Sequence, residues 1–419
     1  MFFRLIAAGR LAPVVLLAVA FSDPSVASGA SLKLRDALAR TLESNPDLAA
    51  YEYVLRAQDG RITQAGLRPN PVITADVENA FGTGETRGLD ATEMTIGLSQ
   101  LIELDGLRDK RVTSAQFTRE GLEIDGQIRR LDILAETARR FVKLVGQQEQ
   151  HRLTHLAVEL SEKTAEAVQR RVAAAISPES ERDRAAVALE RARIADAHAE
   201  HALVAARYEL AASWGAIQPD FVEAAADLYA LPELSAYEDL LAALERTPDL
   251  SRYLSERRLR ESEVTLALAS QRPGIEIGAG IRRLAEIDDT AFVFNVGIPL
   301  TVNNRNQGAV AEAEALKAGA QANRSAALLK ARTQLFSNHR ELQDLGQQVR
   351  ALRERALPRT EAALKGTESA YERGRYSYLE LVDAQRELLS VRDNLIEAAM
   401  QYHLTLIEIE RLTATAVSR

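Results

Sequence analysis

The amino-acid sequence predicts an internally duplicated α+β membrane protein, in which short strands contribute to a β-barrel and long helices extend away from it. Three observations predict this class. The chain of 419 residues repeats a pattern at an offset of about 200 positions, and it has four short segments with apolar–polar alternation. It also has two helical stretches that are too long for a globular domain.

The composition excludes several classes of protein. The chain contains no cysteine, so disulfide scaffolds, thiolate zinc sites and cysteine nucleophiles are excluded. Its net charge of −8 argues against a nucleic-acid partner, because such proteins usually show a basic excess. There is no G-x-S-x-G, no phosphate-binding loop and no dinucleotide-binding glycine motif. We therefore expect neither an enzyme nor a cofactor.

The N-terminus has the pattern of a secretory signal. Arg4 and Arg10 precede an uncharged apolar run, and small residues then offer cleavage after Ala27 or Ala30. The run is too short to span a bilayer, so it predicts a signal peptide over residues 1–30 and export of the mature chain. No later stretch approaches 18 uncharged apolar residues, so any membrane span should be something other than a helix.

The rest of the chain is a tandem repeat. Two twelve-residue segments share six identical positions, among them Pro46 and Pro248. Each half then has the same order of elements, which is a short helix, a break, a second helix, a strand pair and a long helical stretch. A repeat of this length indicates a duplicated domain rather than a solenoid unit, so we predict repeats at 31–235 and 236–419.

Each repeat is predicted to contain two strands. They lie at about 72–80, 92–101, 274–284 and 291–300. One face of each strand is apolar, and the other carries charged residues, namely Asp76, Glu78, Glu93, Glu276 and Arg282. A half-buried sheet shows the same period, but an exported chain with this alternation favours a barrel with lipid outside and water inside. Because a small barrel needs about eight strands, we expect three chains to combine into a twelve-stranded barrel.

Long helices follow both strand pairs. They are predicted at about 104–174 and 306–373, with return helices at about 178–214 and 377–413. The first would extend roughly 105 Å at about 1.5 Å per residue. Pro358 interrupts the long helix that is predicted in the second repeat. Ser177 is predicted to cap the first return helix, with Pro178 at its first position, and Ser377 with Glu380 predicts a capping box.

Several segments resemble one family. Tyr371–Gln385 is similar to a Y-x-x-G…D-A stretch, Leu357-Pro358 to an upstream proline, and Arg68–Pro71 to an R-x-N-P motif. On these residues the chain resembles the outer-membrane factor family typified by TolC. Asn303–Gly308 is similar to the D-R-N-Q-G segment of the heavy-metal branch, the CzcC type. The chain departs from the family in lacking an N-terminal cysteine for lipidation and in having Ala175 where glycine is usual.

The resemblance implies a homotrimer in the outer membrane of a Gram-negative cell, with a lipid-surrounded barrel that continues into a periplasmic helical barrel. It implies a conduit that works with a periplasmic adaptor (membrane fusion) protein and an inner-membrane RND pump. The branch implies export of divalent cations of the cobalt, zinc and cadmium type. Export of drugs or proteins by the same architecture is an alternative. An exported coiled-coil structural protein is a second alternative, but it would leave the strands and the duplication unexplained.

The resemblance also assigns functional residues. Glu380 and Asp383 correspond to an acidic ring at the periplasmic aperture, Tyr371 corresponds to an aperture tyrosine, and an offset of 199 adds Glu181. Rings of carboxylates favour cations. In the simpler interpretation Glu380 only caps a helix, Asp383 is a solvated charge and Tyr371 only packs.

Residues at the two helical tips are expected to contact the adaptor. They are Ile176, Ser177, Pro178, Glu179, Gly374, Arg375, Tyr376, Ser377 and Leu379. Two histidine pairs, His151/His155 and His198/His201, have chelate spacing. No acidic second shell accompanies them in the sequence, so we predict no metal site.

Overall fold

The computed structural model describes residues 31–415 apart from residues 234 and 273, and the predicted signal peptide over 1–30 lies outside the described residues. The elements of the first half are β1 (Ser31–Leu32), α1 (Leu34–Ser44), α2 (Pro46–Ala65), β2 (Val72–Glu78), β3 (Glu93–Ile102), α3 (Leu107–Ala173), α4 (Glu179–Ala211) and β4 (Glu223–Ala224). Those of the second half are α5 (Tyr237–Leu244), α6 (Pro248–Ala269), β5 (Ile275–Leu284), β6 (Asp289–Gly297), α7 (Gln307–Ala351), α8 (Leu357–Glu372) and α9 (Tyr378–Thr413).

The two halves differ in their longest helix. In the first half, α3 runs for 67 residues without a break, about 100 Å at 1.5 Å per residue. In the second half, α7 ends at Ala351, a π-helical turn spans Leu352–Ala356, and α8 begins at Leu357. The sequence predicted that the long helix is interrupted at Pro358, and in the structure the irregular turn ends at Ala356, shortly before this proline. The reason is that the proline ring excludes the carbonyl group four residues earlier, so the preceding turn must widen.

The four long strands form one antiparallel sheet in the order β2-β3-β5-β6. The central pairing joins the halves, with Glu93 opposite Leu284 and Ile102 opposite Ile275. Because the strands alternate in direction, every connection to a helix leaves the same end of the sheet, while the two hairpin loops lie at the opposite end. A short parallel pair, β1 with β4, was not predicted.

The sheet has an apolar and a polar face. Apolar side chains of all four strands point to one face and are exposed, Ile73 by 76%, Phe292 by 79% and Phe294 by 78%. The register places Thr95, Ser99 and Arg282 on the other face. Such exposure of large apolar side chains would be costly in water, since burial of apolar surface is worth about 25 cal/mol per Å².

Large apolar side chains form most of the helix core, and small residues allow close approach at some contacts. Ala185, Ala199 and Ala206 of α4 are buried. A Cβ atom at Gly146 of α3 would overlap the side chain of Met400 in α9. Among the described helices, none has a stretch long and apolar enough to cross a membrane.

A largely buried arginine ties three helices together. Arg411 of α9 donates to Asp249 of α6 at 2.8 and 3.1 Å and to Asp132 of α3 at 2.5 Å. Burial alone would lower the pKa of Arg411, but the two carboxylates raise it overall. The arginine therefore remains charged and fixes where α6 begins against α3 and α9.

Candidate functional site at the helical tip

Two turns form the tip of the helical region, and both use the same backbone geometry. Ala175 and Gly374 are 199 positions apart, and both adopt left-handed conformations, with φ of 54° and 72°. The amide of Ala175 donates to the Val172 carbonyl, as the amide of Gly374 does to Tyr371, each at 2.9 Å. The alanine noted in the sequence therefore occupies the position that favours glycine.

The two return helices begin differently. Helix α9 has the predicted capping box. The Ser377 amide and hydroxyl donate to Glu380 Oε2 at 2.7 and 2.9 Å, and the Glu380 amide donates to Ser377 Oγ at 3.4 Å. These bonds lower the pKa of the Glu380 carboxyl. Ser177 does not cap α4 as predicted. Pro178 is the N-cap residue of that helix, without a side-chain capping bond.

Arg171 explains what Ser177 does instead, and it connects the two turns. Its Nε donates to Ser177 Oγ at 3.2 Å, and its Nη1 donates to the carbonyl of Tyr371 at 2.7 Å. Its guanidinium carbon also lies 4.6 Å from the centroid of the Tyr371 ring. The sequence analysis did not select Arg171. Its one sequence signal is that the two repeats differ at this position, where the second repeat has Ala370.

Tyr371 lies inside the tip of a single chain. Its side chain is 1% exposed and packs in a cluster drawn from four helices, with Leu160, Val168, Leu364 and Leu381 among its members. The pKa of its hydroxyl is raised, mainly because the group is buried. The charge of Arg171 lowers this pKa, and the charge of Glu181 raises it. Among the described residues the hydroxyl has no hydrogen bond of good geometry, with Ser177 its candidate partner.

The predicted carboxylates do not all share one surface. Glu380 and Asp383 line a groove of about 680 Å³ between α4 and α9, and the α4 carboxylate beside them is Asp183. Glu181 is not among the residues that line this groove. It acts electrostatically on Tyr371 and Tyr378 instead. The sequence offset had placed Glu181 opposite Glu380.

Arginines balance the charge of this groove. Arg184, Arg191 and Arg386 line it together with its three carboxylates. Within one chain the groove is therefore mixed in charge rather than acidic. An acidic ring would have to arise where carboxylates of neighbouring chains face one another.

Most of the residues predicted to contact an adaptor are exposed. Ile176 and Leu379 expose 64% and 65% of their surface, and Tyr376 exposes 45%. Pro178, Glu179, Gly374, Arg375 and Ser377 are exposed as well, and Ser177 is intermediate. The two turns therefore present apolar side chains at the end of the molecule.

The first histidine pair has an acidic neighbour that the sequence did not indicate. His151 Nε2 and His155 Nδ1 lie 3.8 and 3.7 Å from the carboxylate of Asp196. That carboxylate accepts a hydrogen bond from Thr154 at 2.8 Å. Within the part of the chain that the structure describes, no group of three or more His, Cys, Asp and Glu side chains is arranged to hold a metal ion.

Comparison with known proteins identifies clear relatives. The family model described as outer membrane efflux protein matches residues 37–216 and 240–415. The cobalt-zinc-cadmium resistance protein CzcC of Cupriavidus metallidurans is 31% identical over 421 residues, which cover 94% of this chain and 97% of that protein.

Solved structures share the fold. A membrane protein from Pseudomonas aeruginosa superimposes with a TM-score of 0.75 at 20% identity, covering 91% of this chain and 90% of that one. CusC gives 0.74 at 17% identity with 91% of both chains covered. VceC of Vibrio cholerae gives 0.72 at 18% identity, with 91% and 95% covered.

The geometry of the turns predicts opposite effects for two substitutions. Ala175→Gly removes the steric cost of a left-handed alanine and should stabilise the protein by roughly 1 kcal/mol, while Gly374→Ala should destabilise it by a similar amount. The unfolding midpoints in detergent would be compared under one protocol. Gly366→Ala is the matched control, because Gly366 lies within α8 with open space around its Cβ position and should gain helix stability. Equal shifts for Gly366→Ala and Gly374→Ala would contradict this account.

The bridge from Arg171 predicts local loosening of both turns. Arg171→Lys keeps the charge but loses the planar fork that contacts Ser177 and Tyr371 together. Hydrogen exchange of amides over residues 371–377 should accelerate by roughly fivefold, since a lost hydrogen bond is worth about 1 kcal/mol. Arg170→Lys is the control, because Arg170 only approaches the exposed Glu166 at 3.8 Å. Identical exchange in the two variants would show that Arg171 does not hold the second turn.

Proposed function

The chain belongs to the outer membrane efflux protein family, and we propose that it is the outer-membrane component of a tripartite RND-type system that exports divalent heavy-metal cations. It is an efflux channel of the outer membrane that extends into the periplasm, and it is not an enzyme. The single observation that supports the substrate is 31% identity over nearly the full length of a protein named for cobalt, zinc and cadmium resistance. The proposed partners are a periplasmic adaptor, an RND pump and outer-membrane lipid.

A trimer is the second part of the proposal. The sheet of one chain has unpaired edges at β2 and β6, and unpaired backbone groups in a bilayer cost several kcal/mol each. If β2 of each copy pairs with β6 of the next, three copies close a twelve-stranded barrel. The exposed apolar face, which includes Phe292 and Phe294, would then contact lipid, and the polar face would line water.

The proposed periplasmic aperture lies at the other end. Threefold symmetry would repeat Glu380 and Asp383 around the axis, and Asp183, which lines the same groove, would be repeated with them. In the proposed closed state, these carboxylates would pair with groove arginines of a neighbouring chain, namely Arg184, Arg191 or Arg386. Tyr371 would support the aperture from inside each chain, and Glu181 would act on Tyr371. The adaptor would contact the predicted turn residues, namely Ile176, Ser177, Pro178, Glu179, Gly374, Arg375, Tyr376, Ser377 and Leu379.

Charge removal at the groove should open the aperture. Glu380→Gln combined with Asp383→Asn removes two carboxylates while glutamine retains the capping geometry at Ser377. Single-channel conductance in a planar bilayer should increase severalfold, because the closed state loses its ion pairs. Glu368→Gln with Glu372→Gln neutralises two charges on α8 outside the groove and should leave conductance unchanged. If the first variant forms a folded trimer with wild-type conductance, Glu380 and Asp383 do not form the aperture.

The substrate can be tested by growth. A deletion strain should become sensitive to Co²⁺, Zn²⁺ or Cd²⁺, and the intact gene should restore resistance. Dyes and detergents in the same panel provide the comparison. Sensitivity to organic compounds alone would leave the channel intact and replace metal export by drug export.

A further inference from the structure

Arg282 joins three adjacent strands on the polar face of the sheet. From β5 its Nη1 donates to Glu93 of β3 at 2.8 Å, and its Nη2 lies 3.2 Å from Glu78 of β2. Its Nε donates to Thr95 Oγ1 at 3.0 Å. One guanidinium thus contacts two carboxylates from two different strands.

The strand register explains why a cation is needed there. Glu78 and Glu93 are directly opposite each other in the β2–β3 pair. Like charges at such positions repel, since opposed Cβ atoms are about 5 Å apart. Asn79 donates to Glu93 at 3.3 Å, but an amide cannot neutralise a carboxylate. Without a fixed cation, two opposed carboxylates would attract a divalent ion, because oxygen ligands of this kind bind such ions.

Arg282 is also the one cationic side chain on the polar face of these four strands. Its neighbour Arg283 belongs by register to the apolar face, where it contacts Asp288 in the hairpin loop. Asp76, Glu78, Glu93, Glu276 and Asp289 are the carboxylates on the polar face. Arg282, Glu78 and Glu93 lie near the hairpin loops, at the end of the sheet away from the helices. We call these three residues the outer charge cluster.

We propose that Arg282 prevents the outer charge cluster from retaining divalent cations: its guanidinium occupies the position between Glu78 and Glu93 that such an ion would otherwise take. This inference rests on the proposed function, in which the polar face lines the barrel. Conduction requires binding that is weak enough for release. Arginine does not deprotonate in proteins, so it fills this position permanently and does not exchange with the passing ions.

The side chains are accessible to ions from the polar face. Glu78 exposes 53% of its side chain, and Arg282 exposes 32%. Glu93 exposes 24%. A divalent ion could therefore reach both carboxylates once the guanidinium is absent. The remaining carboxylates of the face would still attract cations into the barrel.

The experiment measures K⁺ conductance of reconstituted trimers while Zn²⁺ is added from the side of the hairpin loops. Wild type should show little change up to millimolar Zn²⁺. Arg282→Gln should be blocked at concentrations at least tenfold lower, and its preference for K⁺ over Cl⁻ should increase. Arg283→Gln is the matched control and should behave as wild type. Arg282→Lys, which keeps a cation, should restore most of the wild-type behaviour.

A second variant tests the mechanism. Glu93→Gln combined with Arg282→Gln removes one of the opposed carboxylates, so the Zn²⁺ block should disappear again. If Arg282→Gln conducts with the Zn²⁺ sensitivity of wild type and of Arg283→Gln, the inference about Arg282 is wrong, and the proposed channel remains. If no protein, including wild type, forms conducting trimers, the proposed function itself fails.

Discussion

The pairing of β3 with β5 determines the layout of the molecule. It is the antiparallel contact that joins the strands of the two repeats, over the full length from Glu93 to Ile102. Because strand direction alternates through the sheet, both long helices and both preceding helices attach at one end. The outer charge cluster consequently lies at the opposite end from the helical tip. A shift of this register by one residue would move Arg282 to the apolar face and separate it from Glu78 and Glu93.

The duplication supplies two equivalent helical hairpins, but the structure makes them unequal. Ala175 and Gly374 share one backbone geometry, although alanine is less favourable than glycine in the left-handed conformation. Only the second hairpin has a capping box, and within the described helices the π-helical turn belongs to the second repeat. Arg171 of the first hairpin then holds the second through the Tyr371 carbonyl. The first hairpin is therefore the continuous support against which the second is positioned.

At both ends of the molecule, the clustered carboxylates lie close to arginine side chains. At the tip, Glu380 and Asp383 share their groove with Arg386 and other guanidinium groups. In the sheet, Glu78 and Glu93 share Arg282. In the proposed channel such pairing would keep the attraction for cations moderate, since conduction requires binding that is weak enough for release. For a channel whose proposed cargo is divalent, this moderation matters more than for one that passes organic molecules.

The sequence by itself determined the features that depend on neighbouring residues. Alternation predicted the four strands, the absence of proline predicted α3, and Ser377 with Glu380 predicted the capping box, because these patterns act within a few positions. The tertiary structure decided what depends on residues far apart in the chain. Arg171 meets Tyr371 across 200 positions, and Arg282 meets Glu93 across 189. The tertiary structure also placed Glu181 outside the groove, because side-chain direction at a helix start depends on which helices pack against it. Local patterns cannot encode the contacts of Arg171 with Tyr371 and of Arg282 with Glu93, since these exist only after the two repeats have been brought together.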